Sequence, residues 1–248
     1  MILRTTIATL LATLAVSSVS AEILHDWNFA GLRNGSTFSS VPDTGTIGGL
    51  TFLDNAGSPG TFNNSRVVDG KYRISRRLSG TTSFYADIAD QTASSKPVWA
   101  VLELAGWNMK SATNQIVRFD FTTTTTGTQV AAQARLDRAA KDNAALSTVT
   151  LVGAALGDGG QSAPGNLELP SAFTGPIRIA LMFDKAKGVY EVSYLLPGAA
   201  AYVSLGQGRI SPARDGNALR ININGSYSTS GEYLDISRIY LSSTAPTP

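Results

Sequence analysis

Three alternating stretches hold the residues best suited to chemistry. Successive side chains of an extended strand point to opposite faces. In Val98–Trp107, Val98, Ala100, Leu102 and Leu104 share one face, and Trp99, Val101, Glu103, Ala105 and Trp107 share the other. In Gln115–Phe121, Arg118 and Asp120 oppose Val117, Phe119 and Phe121. In Thr128–Leu136, Gln133 and Arg135 alternate with Val130, Ala132, Ala134 and Leu136. If the three are neighbouring strands, their polar sides merge into one surface of two indoles, two arginines, two carboxylates and an amide. Indoles stack on the apolar C–H faces of sugar rings, while planar Arg, Asp, Glu and Gln groups satisfy hydroxyls or a uronate carboxylate. The ligand-binding set expected on this basis is Trp99, Glu103, Trp107, Arg118, Asp120, Gln133 and Arg135. The competing reading is a solvated face on which Arg118, Asp120, Glu103 and Arg135 form a cross-strand ion-pair ladder.

Catalysis can also be written on these residues. Glu103 and Asp120 make an acid/base pair for glycoside cleavage if their carboxyls stand about 5–9 Å apart. Tyr190 or Tyr194 could abstract a proton beside an arginine-neutralised uronate, as a lyase requires. The single histidine, His25, shares a face with Ile23, Trp27 and Phe29 and reads as a core residue. Asp26 and Asn28 face the other way; with Asp235 in the closing strand they are the oxygen donors from which a structural calcium site could be built. Arg73, Arg76 and Arg77 read as a charged strand edge.

The elements that position these side chains are strands. Apolar residues alternate in runs of five to ten, and Gly, Pro, Asn, Asp and Ser punctuate the gaps. The runs are Glu22–Phe29, Leu50–Leu53, Val67–Arg76, Thr82–Ile88, Val98–Trp107, Gln115–Thr123, Thr128–Leu136, Ser147–Val152, Pro176–Phe183, Val189–Leu195, Ala201–Leu205, Ala218–Asn224 and Tyr233–Ser242. Asp69-Gly70 and Asp184–Gly188 are hairpin signals. Ala30–Gly49 and Gly153–Gly175 read as long loops, and Ala139–Ala145 as a turn. The fold class is all-β, an antiparallel two-sheet sandwich.

The first residues predict export. Arg4 precedes an apolar run, Ile7–Val16, and Val19 and Ala21 have the small side chains of a cleavage site, so residues 1–21 read as a signal peptide cut after Ala21. The apolar run is about half the roughly 20 residues a bilayer span needs. Residues 22–243 then form one domain, and 244–248 a short Pro-containing tail. The chain has no cysteine and a formal net charge of +2, which argues against nucleic acid as a partner. A signal peptide on a cysteine-free chain resembles a bacterial secreted or periplasmic protein, with no membrane association after cleavage.

Ile177–Gly208 runs strand, Asp-x-x-x-Gly hairpin, Tyr-x-Val-x-Tyr strand, loop, strand and Gly-x-Gly. With Asp26-Trp27-Asn28-Phe29 at the start and Tyr233–Leu241 at the end, the chain resembles the concanavalin A-like lectin/glucanase superfamily, including laminin-G-like modules. The resemblance implies a jelly roll whose first and last strands lie close together, with sugars bound on one sheet or at loop tips. The Glu-x-Asp-x-x-Glu strand of its laminarinase-type glycosidases is absent, since Leu104, Ala105 and Gly106 follow Glu103. The reading is a non-catalytic binder of a polysaccharide or oligosaccharide. The alternatives are a lyase or glycoside hydrolase using the same face, and a structural surface protein.

Overall fold

A computed structural model describes residues 22–55, 65–75, 81–109, 115–124, 129–137, 148–224 and 232–248. The signal-peptide segment, the Ala139–Ala145 turn, Arg76 and Arg77 lie outside them. The described residues form 15 strands: β1 Ile23–Asn28, β2 Leu53–Asn55, β3 Arg66–Val68, β4 Lys71–Ser75, β5 Thr81–Asp87, β6 Val98–Asn108, β7 Gln115–Thr122, β8 Val130–Asp137, β9 Thr148–Ala154, β10 Asn166–Pro170, β11 Ala172–Asp184, β12 Val189–Leu195, β13 Val203–Arg209, β14 Ala218–Asn224 and β15 Tyr233–Ser242. Among the described residues, helix is confined to one turn at Ala89–Thr92 and a 3-10 turn at Phe38–Ser40.

The strands build two antiparallel sheets. One has eight strands, ordered β13-β12-β11-β6-β15-β4-β3, with β1 also paired to β15; the other has seven, β10-β9-β8-β7-β14-β5-β2. The first and last strands are neighbours, as the resemblance implied: Trp27 lies opposite Ile239. β15 has β6 along one side; on the other, β4 takes Tyr233–Ile236 and β1 takes Arg238–Ser242.

Alternation fills the space between the sheets. Leu102, Leu104, Ile179, Leu181 and Ile239 of one sheet meet Val117, Phe119, Phe121, Leu219 and Ile221 of the other, all at 2% exposure or less. Phe121 and Phe183 stack across the layers at 5.0 Å between ring centroids. At one end Trp27, Phe29, Phe38, Phe52, Tyr72 and Phe84 form an aromatic cluster. Apolar area removed from water on this scale is the main stabilising term of such a sandwich.

Four expected elements differ. Val67–Arg76 is a hairpin, β3 and β4, because Asp69 and Gly70 both take positive φ (50° and 71°), the geometry of a tight two-residue turn. The stretch Gly153–Gly175 contains β10, which pairs with β9, and the start of β11. Leu50–Leu53 and Ala201–Leu205 shift toward the C-terminus as β2 and β13. The loop Ala30–Gly49 is fastened to β1 by Asp43. Its carboxylate accepts the N–H groups of Asp26, Gly45 and Leu50 at 2.8, 2.9 and 3.3 Å, and contacts His25 Nδ1. His25 is a buried core residue, stacked on Trp27.

Candidate functional site

Two outward-facing surfaces carry the polar residues, and they lie on opposite sides of the sandwich. The expectation that Val98–Trp107, Gln115–Thr123 and Thr128–Leu136 are three neighbouring strands is corrected. β7 and β8 pair within the seven-stranded sheet, whereas β6 lies between β11 and β15 in the eight-stranded one. Arg118, Asp120, Gln133 and Arg135 therefore come together, and Trp99, Glu103 and Trp107 do not join them.

On the seven-stranded sheet, register aligns two polar rows. Gln133 lies opposite Asp120, Asp120 opposite Arg220, and Arg220 opposite Tyr85. One residue pair along, Arg135, Arg118, Asn222 and Ser83 line up in the same way. Arg220 Nε donates to Asp120 Oδ1 at 2.9 Å and Nη2 to Oδ2 at 2.6 Å, a two-point pair across β14 and β7. Arg135 Nε donates to Asp137 Oδ2 at 2.6 Å, and Asn222 Nδ2 to Ser83 Oγ at 2.8 Å. Although these side chains point away from the core, Asp120, Gln133, Asn222 and Arg220 are exposed by only 0, 1, 3 and 5%.

This burial governs their chemistry. Desolvation pushes the Asp120 carboxyl up from the ordinary carboxylate range, against the pull of Arg220 and Arg118. It pushes Asp137 up against Arg135, and lowers Arg118 against the favourable charge of Asp120. Gln133 Oε1, Asn222 Oδ1 and Asp137 Oδ1 are buried acceptors with no donor among the described residues. A buried polar atom left in this state costs about 1–3 kcal/mol.

The other expected site residues are placed as follows. Glu103 faces outward from the eight-stranded sheet, where Arg178 Nε lies at 3.2 Å and Arg238 at 3.9 Å from Oε1. Facing sheets pack about 10 Å apart, and Glu103 and Asp120 point away from each other across that thickness. They cannot form the acid/base pair. Trp107 is a core residue at 1% exposure, its indole N–H donating to Pro170 O at 2.9 Å and its ring stacked on Phe173. The cause is a bulge: the register of β6 against β11 and β15 shifts beside Gly106, so Leu104 and Trp107 both face inward. A Cβ at Gly106 would stand 2.8 Å from Phe173 O, so this close approach requires glycine. Trp99 stays on the outer face.

Tyr190 is wholly buried, its hydroxyl accepts the Ala163 N–H at 2.9 Å, and burial pushes its phenol up to about 12; a base at a surface site is excluded. Tyr194 packs against the core from β12. The calcium candidates do not fit a shared ion. Asp26 pairs with Arg238 at 2.7 and 2.9 Å, Asp235 with Arg73 at 2.7 Å twice, and Asn28 Oδ1 accepts the Ala30 N–H. Asp26 lies opposite Tyr240, five residues along β15 from Asp235, or about 16 Å at strand rise. Among the described residues no group of three His, Cys, Asp or Glu could hold a metal ion.

Arg220, Asn222 and Tyr85 were not anticipated. Alternation within Ala218–Asn224 and Thr82–Ile88 does carry them to the outer side. That β14 and β5 continue the sheet from β7 is a long-range fact with no local signal.

No family model and no curated protein matches the chain. Solved structures do match. A CBM2 module of an evolved Dit from Lactobacillus casei BL23 phage J-1 is 13% identical, over 92% of this chain and 98% of that one, with a TM-score of 0.53. The potassium-bound carbohydrate recognition domain of Emp46p is 9% identical, over 79% and 89%, with a TM-score of 0.52. The exoplasmic/lumenal domain of VIP36 in its Ca2+/Man3GlcNAc-bound form is 11% identical, over 80% and 87%, with a TM-score of 0.50. With two antiparallel sheets, adjacent terminal strands and these likenesses, the chain has the concanavalin A-like lectin fold.

Proposed function

We propose that the chain is a secreted, non-catalytic carbohydrate-binding domain that takes an oligosaccharide segment of a polysaccharide on the outer face of its seven-stranded sheet. The observation that carries this reading is the set of three buried acceptors without donors, Gln133 Oε1, Asn222 Oδ1 and Asp137 Oδ1. Sugar hydroxyls are donors of the right kind for all three, reached once the groups that cover these buried atoms are displaced. Gln133 and Asp137 are four residues apart on β8, about 13 Å at strand rise, which is longer than one sugar ring and suits a short run of them. The Asp120–Arg220 and Arg135–Asp137 pairs fix the charged groups in place, so little ordering entropy remains to be lost on binding. The half-buried Tyr85 ring ends the row beside Arg220 and offers a stacking surface.

The similar folds support the class of ligand: one is described as a carbohydrate recognition domain and another was solved with Man3GlcNAc. The N-terminal signal pattern supports secretion. Affinity electrophoresis through gels containing neutral or uronate polysaccharides tests the reading. Retardation by at least one polymer is expected, weakened about tenfold, or 1.4 kcal/mol, by Gln133→Ala and by Asn222→Ala. Retardation by none, or retardation indifferent to both substitutions, overturns it.

A further inference from the structure

The outer face of the eight-stranded sheet has its own concavity. Register sets Val101, Ala180, Ser193 and Ser204 in one row across β6, β11, β12 and β13, and Trp99, Met182, Glu191 and Gln207 in the next. Ala180, Ser193 and Ser204 are small, so the row they form is a depression beside the larger Trp99 and Met182. Tyr202 and the C-terminal residues Ala245 and Pro246 complete its walls, enclosing about 260 Å³. Sites for drug-sized ligands run from about 300 to 1,000 Å³, so this one suits a single six-membered ring.

The lining defines the ligand. The Trp99 indole, with Met182 and Pro246, offers an apolar wall. Glu191 is held in place by Gln207, whose Nε2 donates to Oε2 at 3.2 Å, and it presents acceptors to hydroxyls. Ser204 Oγ accepts the Gly206 N–H at 2.9 Å, which leaves its own proton to donate. Tyr202 Oη is buried beside the Tyr240 hydroxyl. The pocket carries one carboxylate and no basic group; the nearby Arg178 is paired with Glu103. It therefore favours neutral rings over uronates, unlike the arginine-rich face on the other side.

We infer that this pocket is a second sugar site, specific for one neutral pyranose unit and independent of the seven-stranded face. Two sites on opposite outer faces would let one molecule bridge two glycan chains, which raises avidity for a polymer without any new contact.

Tryptophan emission isolates this site. Of the chain's 3 tryptophans, Trp27 and Trp107 are buried at 0 and 1%, so only Trp99 can sense a ligand directly. Methyl glucoside, galactoside and mannoside are titrated to about 50 mM, the range in which a single-ring site with a millimolar Kd saturates, with methyl glucuronide as the charged control. At least one neutral glycoside should shift the emission saturably and more strongly than the glucuronide. Glu191→Gln and Ser193→Val should each weaken the effect about tenfold, with the circular dichroism spectrum unchanged. The Gln133→Ala/Asn222→Ala double variant should leave it intact. No shift with any glycoside, or a shift abolished by that double variant and indifferent to Glu191→Gln, overturns the second site. Gel retardation lost only on changing Gln133 and Asn222 would then leave the first site standing.

Discussion

Asp120 and Arg220, a hundred residues apart in sequence, meet in a two-point ion pair that is almost wholly buried on the outward side of the seven-stranded sheet. Removing one partner strands a buried charge. Arg220→Met should cost about 3–5 kcal/mol, whereas the double change Asp120→Leu/Arg220→Met should recover much of that loss, because an apolar pair of similar size does not pay for desolvation. Urea denaturation midpoints of the three proteins check this.

Gly106 makes the bulge that turns Trp107 into the core. Gly106→Ala brings a methyl group within 2.8 Å of the Phe173 carbonyl oxygen. A loss of about 1–3 kcal/mol is expected for such overpacking, and each kcal/mol lowers Tm by about 2–4 °C in a domain of this size. Emission from Trp107 should move to the red as its ring loses the apolar contact with Phe173.

Asp43 ties a twenty-residue segment to β1 through one carboxylate. Asp43→Ala leaves three backbone N–H groups and His25 without it, for a loss of about 2–5 kcal/mol. The signature is local: protease cleavage within residues 31–49 should accelerate more than global unfolding does.

Stability should fall at high pH. The Tyr190 phenol keeps its proton to about 12 in the fold, against 10.0 for an ordinary tyrosine. Between these values the unfolded chain binds fewer protons than the native one, so stability is full below pH 10 and declines as pH rises toward 12, by as much as about 3 kcal/mol. Burial raises Tyr202 and Tyr240 as well, so Tyr190→Phe should make the decline shallower without abolishing it. Urea midpoints across pH 9–12 give the slope.

Strand identity was legible because a period of two survives in single stretches such as Val189–Leu195 and Ala218–Asn224, where one side is apolar throughout. The hairpin at Asp69-Gly70 was legible for a local reason also, since few other dipeptides take two positive φ angles. Neighbourhood was not. Asn222 lies beside Arg118 only because β14 returns next to β7, and Trp107 leaves the face of Trp99 only because Gly106 inserts a bulge into a strand whose pattern otherwise continues. β10 escaped notice because Asn166, Glu168 and Pro170 are exposed at a sheet edge, where little apolar patterning is demanded. Of the seven expected residues, Arg118, Asp120, Gln133 and Arg135 share one surface, Trp99 and Glu103 lie on the opposite one, and Trp107 is in the core.

β15 is the last of the described strands in chain order, and it sits inside its sheet rather than at the edge, touching β6, β4 and β1 at once. Until it is in place, the eight-stranded sheet is in three pieces, β13-β12-β11-β6, β4-β3 and β1 alone, and the edges that face β15 are open to pairing with other chains. The eight-stranded sheet is thus completed only once β15 has joined it. A truncation that removes Tyr233–Ser242 leaves three sheet fragments exposed to aggregation rather than a smaller version of the same protein.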